Sequence, residues 1–283
     1  MTTEHVLDDR RDDHHSRTSH SRTSHPRTSH SRTSHSRIRR TANKVPEVTV
    51  YFWIIKVLTT GMGETASDFL AHLLGPVPAV ALGGLALLAS LALQFAVRRY
   101  VAWIYWTAIV MVSVFGTMAA DVLHVGLGVP YAVSTPAFMA ALAAVFALWY
   151  AVERTLSIHS IHTRRRETFY WAAVLATFAL GTAAGDLTAT IGLGYLGSVV
   201  LFGVAICVPA LAHHRGALGP VTAFWTAYVI TRPLGASLAD WMALSPGRGG
   251  LGLGLGPVTL SWTAAIVAFV GYLAVSRADV RPR

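Results

Sequence analysis

The feature that most limits how this chain can fold is a pattern that occurs four times. An aromatic residue precedes a tryptophan, a glycine follows ten positions after that tryptophan, and an aspartate follows five positions later. The sets are Trp53, Gly63 and Asp68; Trp106, Gly116 and Asp121; Trp171, Gly181 and Asp186; and Trp225, Gly235 and Asp240. Each lies in a long apolar stretch, opening at Phe52, Tyr105, Tyr170 and Phe224. Four gapless matches mark one structural unit set in tandem.

Each unit holds two apolar runs of about 20 residues, the length that crosses a hydrocarbon core of about 30 Å. Only 13% of the 283 residues are charged, against roughly 25% in a soluble domain. The fold class is therefore all-α: a polytopic membrane bundle of eight transmembrane helices built from four parallel helical-hairpin repeats. The repeats are expected over about 45–99, 100–154, 168–215 and 220–276, inside a membrane domain over 45–276, with 277–283 as a C-terminal tail. The polar connection from Glu153 to Thr168 and a flexible Gly-rich link from Pro246 to Gly256 join the later segments. The one cysteine, Cys207, excludes an internal disulfide.

Basic residues set the orientation. Arg37, Arg39, Arg40 and Lys44 precede the first run, and Arg98, Arg99, Arg154, Arg164 to Arg166, Arg215 and Arg277 follow the even-numbered ones. The opposite connections hold no Lys or Arg except Arg248. The positive-inside rule then places both termini in the cytoplasm. Since each repeat contains two spans, all four copies share one orientation and are related by an axis along the membrane normal.

Residues 1–44 differ in kind. The pentad S/P-R-T-S-H recurs from Ser16 to His35, with no apolar side chain to offset ordering, so a disordered basic tail is expected. Its arginines suit anionic lipid and its regularly spaced histidines suit weak metal binding. No feature specifies nucleic acid.

From Lys44 to about Val275 the sequence resembles a family of bacterial integral membrane proteins with four tandem copies of a two-span "repeat of unknown function", each with a signature Trp. The block KVPEVTVYFWIIKVLTTGMGETASDFL, Lys44 to Leu70, resembles the family's first repeat most. The resemblance implies an eight-span protein of a bacterial cytoplasmic membrane and transfers no activity. The fourth copy departs from the pattern: Ala236 replaces Glu64, Thr117 and Thr182, and Arg232-Pro233 interrupts it.

Polar residues at membrane depth are costly and so mark function or tight packing. At about 1.5 Å per residue, each Asp lies about 22 Å along the helix from its Trp, in the outer third. Glu64, Thr117 and Thr182 precede their aspartates by four residues and share their face; Thr60 and Lys56 extend the stripe in the first copy. Five acids against Lys56 and Arg232 leave a deficit of three positive charges if all ionise, which favours a bound cation or shared protons. The aspartates equally suit interhelical hydrogen bonds, the glycines close helix approach, and the tryptophans an interfacial belt. Lys56, Glu64 and Arg232 break the repeat and are the sharpest candidates for a binding site, although Lys56 can also snorkel to the cytoplasmic face. His72 and His124, close after Asp68 and Asp121, are weak metal candidates.

No cofactor is indicated beyond a cation or proton, and no phosphate loop, zinc-protease or serine-nucleophile motif is present. Three functions follow in order: a permease for a small cation or cation-coupled solute; a membrane scaffold or sensor acting through the His-rich tail; and an intramembrane enzyme using Glu64 and Asp68 as acid and base.

Overall fold

The protein was described from a computed structural model covering residues 43–280. The pentad tail and residues 281–283 lie outside the described residues. Within them the fold is all-helical: α1 (Val50–Leu74), α2 (Pro76–Ala96), α3 (Ala102–Asp121), α4 (Tyr131–Glu153), α5 (Arg164–Thr188), α6 (Gly194–Ala205), α7 (Cys207–His214), α8 (Pro220–Ala243) and α9 (Leu255–Ser276).

Local chemistry sets the helix ends. The Thr49 hydroxyl accepts from the Phe52 amide and the Thr163 hydroxyl from that of Arg166, capping α1 and α5. Gly75, at φ 84°, separates α1 from α2, whose first residue is Pro76, a position where the missing amide costs nothing. The expected sixth segment is split into α6 and α7, because Pro209 has no amide to donate to the Ala205 carbonyl. Pro233, by contrast, does not interrupt its repeat: α8 runs unbroken through Arg232 and Pro233.

Four helices, α1, α3, α5 and α8, form an inner ring in which each packs on two of the others. The motif glycines make this closure possible. A methyl group on Gly63 would collide with Ser113, on Gly116 with Phe178, on Gly181 with Arg232, and on Gly235 with Thr60. All four struck residues stand seven positions after a motif Trp, so one contact recurs four times and the last returns to the first helix.

The motif aromatics close a second ring. Phe52 meets Trp106 at 5.7 Å between centroids, Tyr105 meets Trp171 at 5.7 Å, Tyr170 meets Trp225 at 6.1 Å, and Phe224 meets Trp53 at 5.8 Å. The interfacial-belt expectation is thereby corrected. Trp106, Trp171 and Trp225 are buried and Trp53 half-buried, each wedged against the aromatic residue of a neighbouring repeat. Dispersion across such contacts holds helices together in water or lipid alike.

The outer helices add a second layer, each pressed mainly on the inner helix of the following repeat. α2 packs chiefly on α3, α4 on α5, α6 on α8, and α9 back on α1. Repeats are thus interleaved, and a repeat's own two helices touch less than its outer helix touches the next copy. The connection before α5 also docks: Ile158 and Ile161 are buried, and the Trp225 indole donates to the Leu156 carbonyl at 2.9 Å. At the same end Lys44 pairs with Glu167 at 2.6 Å, and Gln94 donates to Glu167 at 3.1 Å.

Among the described residues, five stretches are long and apolar enough to cross a membrane: Pro76–Ala96, Ala102–Gly126, Tyr131–Glu153, Arg164–His214 and Leu255–Ser276. The fourth, at 51 residues, is about twice one crossing and bends at Gly192 (φ 113°) and Gly194 (φ 65°). α1 and α8, which carry the interior charges, are not among the five. Outward-facing Leu82, Leu85, Leu88, Val200, Val204 and Val267 are all exposed, the surface a hydrocarbon phase would cover.

Candidate functional site

The motif aspartates lie within the last two turns of the inner helices. α3 and α5 reach beyond theirs through the π-helical turns Val122–Gly126 and Ala189–Leu193. Together the four helix ends enclose a cavity of about 620 Å³ lined by Glu64, Asp68, Asp121, Asp186 and Asp240. Asp240 is 6% exposed, and the other three aspartates are half-buried. None of the ion pairs among the described residues involves these four aspartates.

The floor of the cavity is built from the residues four before each aspartate. Glu64 Oε2 lies 2.8 Å from Arg232 Nη2. That nitrogen also donates to Thr182 Oγ1 at 2.7 Å and to Thr117 Oγ1. Thr117 and Thr182 hydroxyls stand 3.3 and 3.4 Å from Glu64 Oε2. Glu64 on α1 and Thr182 on α5 face each other across the ring, as do Arg232 on α8 and Thr117 on α3, so the contacts span both diagonals. The residues that break the repeat are therefore each other's partners, and the fourth-copy Ala236 leaves the space into which Arg232 reaches.

Lys56 and Thr60 lie elsewhere. Thr60 hydrogen-bonds the Val57 carbonyl at 2.6 Å and packs on Gly235, while its own carbonyl accepts from Arg232 Nη1 at 3.3 Å. Lys56 does not snorkel. It is 0% exposed, without a hydrogen-bond partner among the described residues, and its Nζ sits 4.2 Å from the Phe178 ring centroid and 4.3 Å from that of Tyr228. Below it the phenols of Tyr105 and Tyr170 share a hydrogen bond of 2.5 Å, and the aromatic ring fills the rest of the interior. The polar chamber thus opens at the aspartate end and is sealed towards the tryptophan end.

The histidines do not converge on the acids. His72 Nδ1 lies 2.7 Å from the Asp68 carbonyl, and His124 lies between the Val129 carbonyl and the Ser134 hydroxyl. Among the described residues no three His, Cys, Asp or Glu side chains are grouped to hold a metal ion. The cavity has room for roughly 20 waters at about 30 Å³ each.

The lining residues that escaped the sequence pattern include Tyr131, Tyr195 and Arg248. The tyrosines sit at the starts of α4 and α6, outside the first-helix motif, and Tyr131 faces Asp186. Arg248, the single exception to the loop-charge asymmetry, was the one signal available. Its loop is pinned rather than loose: amides of Leu251, Gly252, Leu253 and Gly254 donate to carbonyls of Trp241, Leu244, Met242 and Ala243. Left-handed Gly249, Gly252 and Gly254 supply the turns that bring those amides back onto the open end of α8.

A model of the Repeat of Unknown Function (DUF347) matches the chain four times, over residues 51–100, 104–155, 169–216 and 223–279. Each match takes in one inner helix and the outer helix that follows it. No curated protein and no solved structure matches the chain.

Proposed function

The chain belongs to the DUF347 repeat family, and from that premise we propose that it is a membrane permease for a small cation. In this reading the inner and outer helices make eight crossings, α6 and α7 counting as one, and both termini face the cytoplasm of a bacterium. The aspartate cavity is then the extracytoplasmic vestibule.

The observation that supports the reading is the convergence of Glu64, Asp68, Asp121, Asp186 and Asp240 on one open cavity, where the four aspartates have no ion pair among the described residues. Glu64 is paired with Arg232, and Arg248 is the cation that lines the cavity beside the aspartates. A ring of acids with low-dielectric walls concentrates cations at its mouth. The Glu64–Arg232 pair, with Thr117 and Thr182, closes the inner end and acts as a gate that must separate for passage. Packed carboxylates can also share protons, so proton exchange against the cation fits the same site.

The test is counterflow of labelled alkali and alkylammonium ions in proteoliposomes. Neutralising Asp68, Asp121, Asp186 and Asp240 to Asn together should abolish it. Unchanged counterflow in a variant that still folds would overturn the proposal.

A further inference from the structure

Lys56 takes no part in the vestibule or the gate, yet its side chain is fully buried with no hydrogen-bond partner among the described residues. A fully buried lysine amine without a hydrogen-bond acceptor is rare, and the repeat does not demand it, since Ile109 and Val174 occupy the same position in the second and third copies. What holds it is aromatic. Phe178 on α5 faces it from across the ring and Tyr228 on α8 from the side, both within the roughly 6 Å reach of a cation–π contact. Phe178 also lies 5.1 Å from the Arg232 guanidinium, so one face of this cage is the underside of the gate.

Vestibule, gate and cage lie along one helix face. Asp68, Glu64, Thr60 and Lys56 follow one another at four-residue steps, and side chains from opposite helices meet at the gate and again at the cage. The rings of the cage recognise a cation without a carboxylate. This choice fits an organic ammonium, which sheds its weak hydration into aromatic faces, and not a small metal ion, which requires oxygen ligands.

We propose that Phe178 and Tyr228 form an inner binding site for a primary ammonium group, occupied in this state by the protein's own Lys56, and that the permeant cation is a small organic ammonium that displaces it. The inference rests on the permease reading for its physiological meaning. Its test needs no transport and so fails or succeeds separately. Lys56→Ala removes the equivalent of a propylammonium ion, leaving a vacancy of matching shape and charge.

Purified Lys56→Ala protein is titrated with propylammonium and, separately, with 1-propanol, following melting temperature. Propylammonium should stabilise the variant saturably and about tenfold more tightly than 1-propanol. The preference should vanish in Lys56→Ala/Phe178→Leu/Tyr228→Leu, and wild type should show no such response at those concentrations. If Lys56→Ala does not accumulate as folded protein, propylammonium added during expression should restore its monodisperse yield and 1-propanol should not. Equal effects of the amine and the alcohol, or a preference that survives loss of both rings, would overturn the proposal.

Discussion

Replacing Glu64 with Gln tests the gate most sharply, because it removes one charge and almost no volume. The Arg232 side chain is 0% exposed and that of Glu64 5%, so the guanidinium cannot turn to solvent. Without its partner the guanidinium retains only Thr117, Thr182 and the Thr60 carbonyl. Orphaning a buried charge in this way costs roughly 3–5 kcal/mol. At roughly 2–4 °C per kcal/mol, the melting temperature should fall by about 6–20 °C. Arg232→Met should also destabilise, but less, since Glu64 borders the cavity, from which water can reach it. The double variant Glu64→Gln/Arg232→Met should return to within roughly 1 kcal/mol of wild type, because Met suits the apolar space beside Phe178. Unfolding in mild detergent, followed by tryptophan fluorescence, yields the full cycle. A coupling below about 0.5 kcal/mol would refute the idea that these two charges are held by each other.

Other consequences can be checked independently. Gly181→Ala should cost about 1–3 kcal/mol, since the new methyl would meet the Arg232 side chain, whereas Gly271→Ala, facing open space within α9, should be neutral or stabilising by up to about 1 kcal/mol; comparative unfolding reads both. Brominated lipids should quench Trp103, which is 51% exposed, and leave Trp106 unaffected, whereas a belt would quench both; single-tryptophan variants separate the signals. Burial raises the Asp279 carboxyl above its ordinary 3.8, a bond from Tyr100 partly opposing it. A raised folded value makes its stabilisation whole below 3.8 and lost as pH rises through that value, so Asp279→Asn should flatten the decline of melting temperature with rising pH.

The repeat made the inner ring legible because each motif position has one geometric task. The glycine admits the next helix, the aromatic pair locks the tryptophan end, and the aspartate sits where four helices finish. Spacing of four between Glu64 and Asp68 placed both on the face that lines the cavity. What sequence could not supply was the identity of neighbours. Glu64 and Arg232 are 168 residues apart, and only closure of the ring brings them together. The same closure buries the tryptophans, which an isolated amphipathic hairpin would present to the interface, and traps Lys56 between rings from two other repeats. The interleaving of outer helices was likewise hidden, because adjacency in sequence suggests packing within a repeat. Gly-rich composition suggested a loose link where positive-φ residues in fact fold the backbone onto α8.

The central claim is that four aspartates from four repeats share one water-filled, cation-attracting chamber. It is tested most directly in a Cys207→Ser background, since that exposed thiol is the only cysteine. Asp68, Asp121, Asp186 and Asp240 are replaced singly and in pairs by Cys and exposed, from the side on which the cavity opens, to impermeant cationic and anionic methanethiosulfonates. The account predicts that all four sites react, that the cationic reagent reacts faster, and that a first adduct slows reaction at the second site of a pair. Thiols that ignore the sign of the reagent, or that react independently of one another, would contradict it.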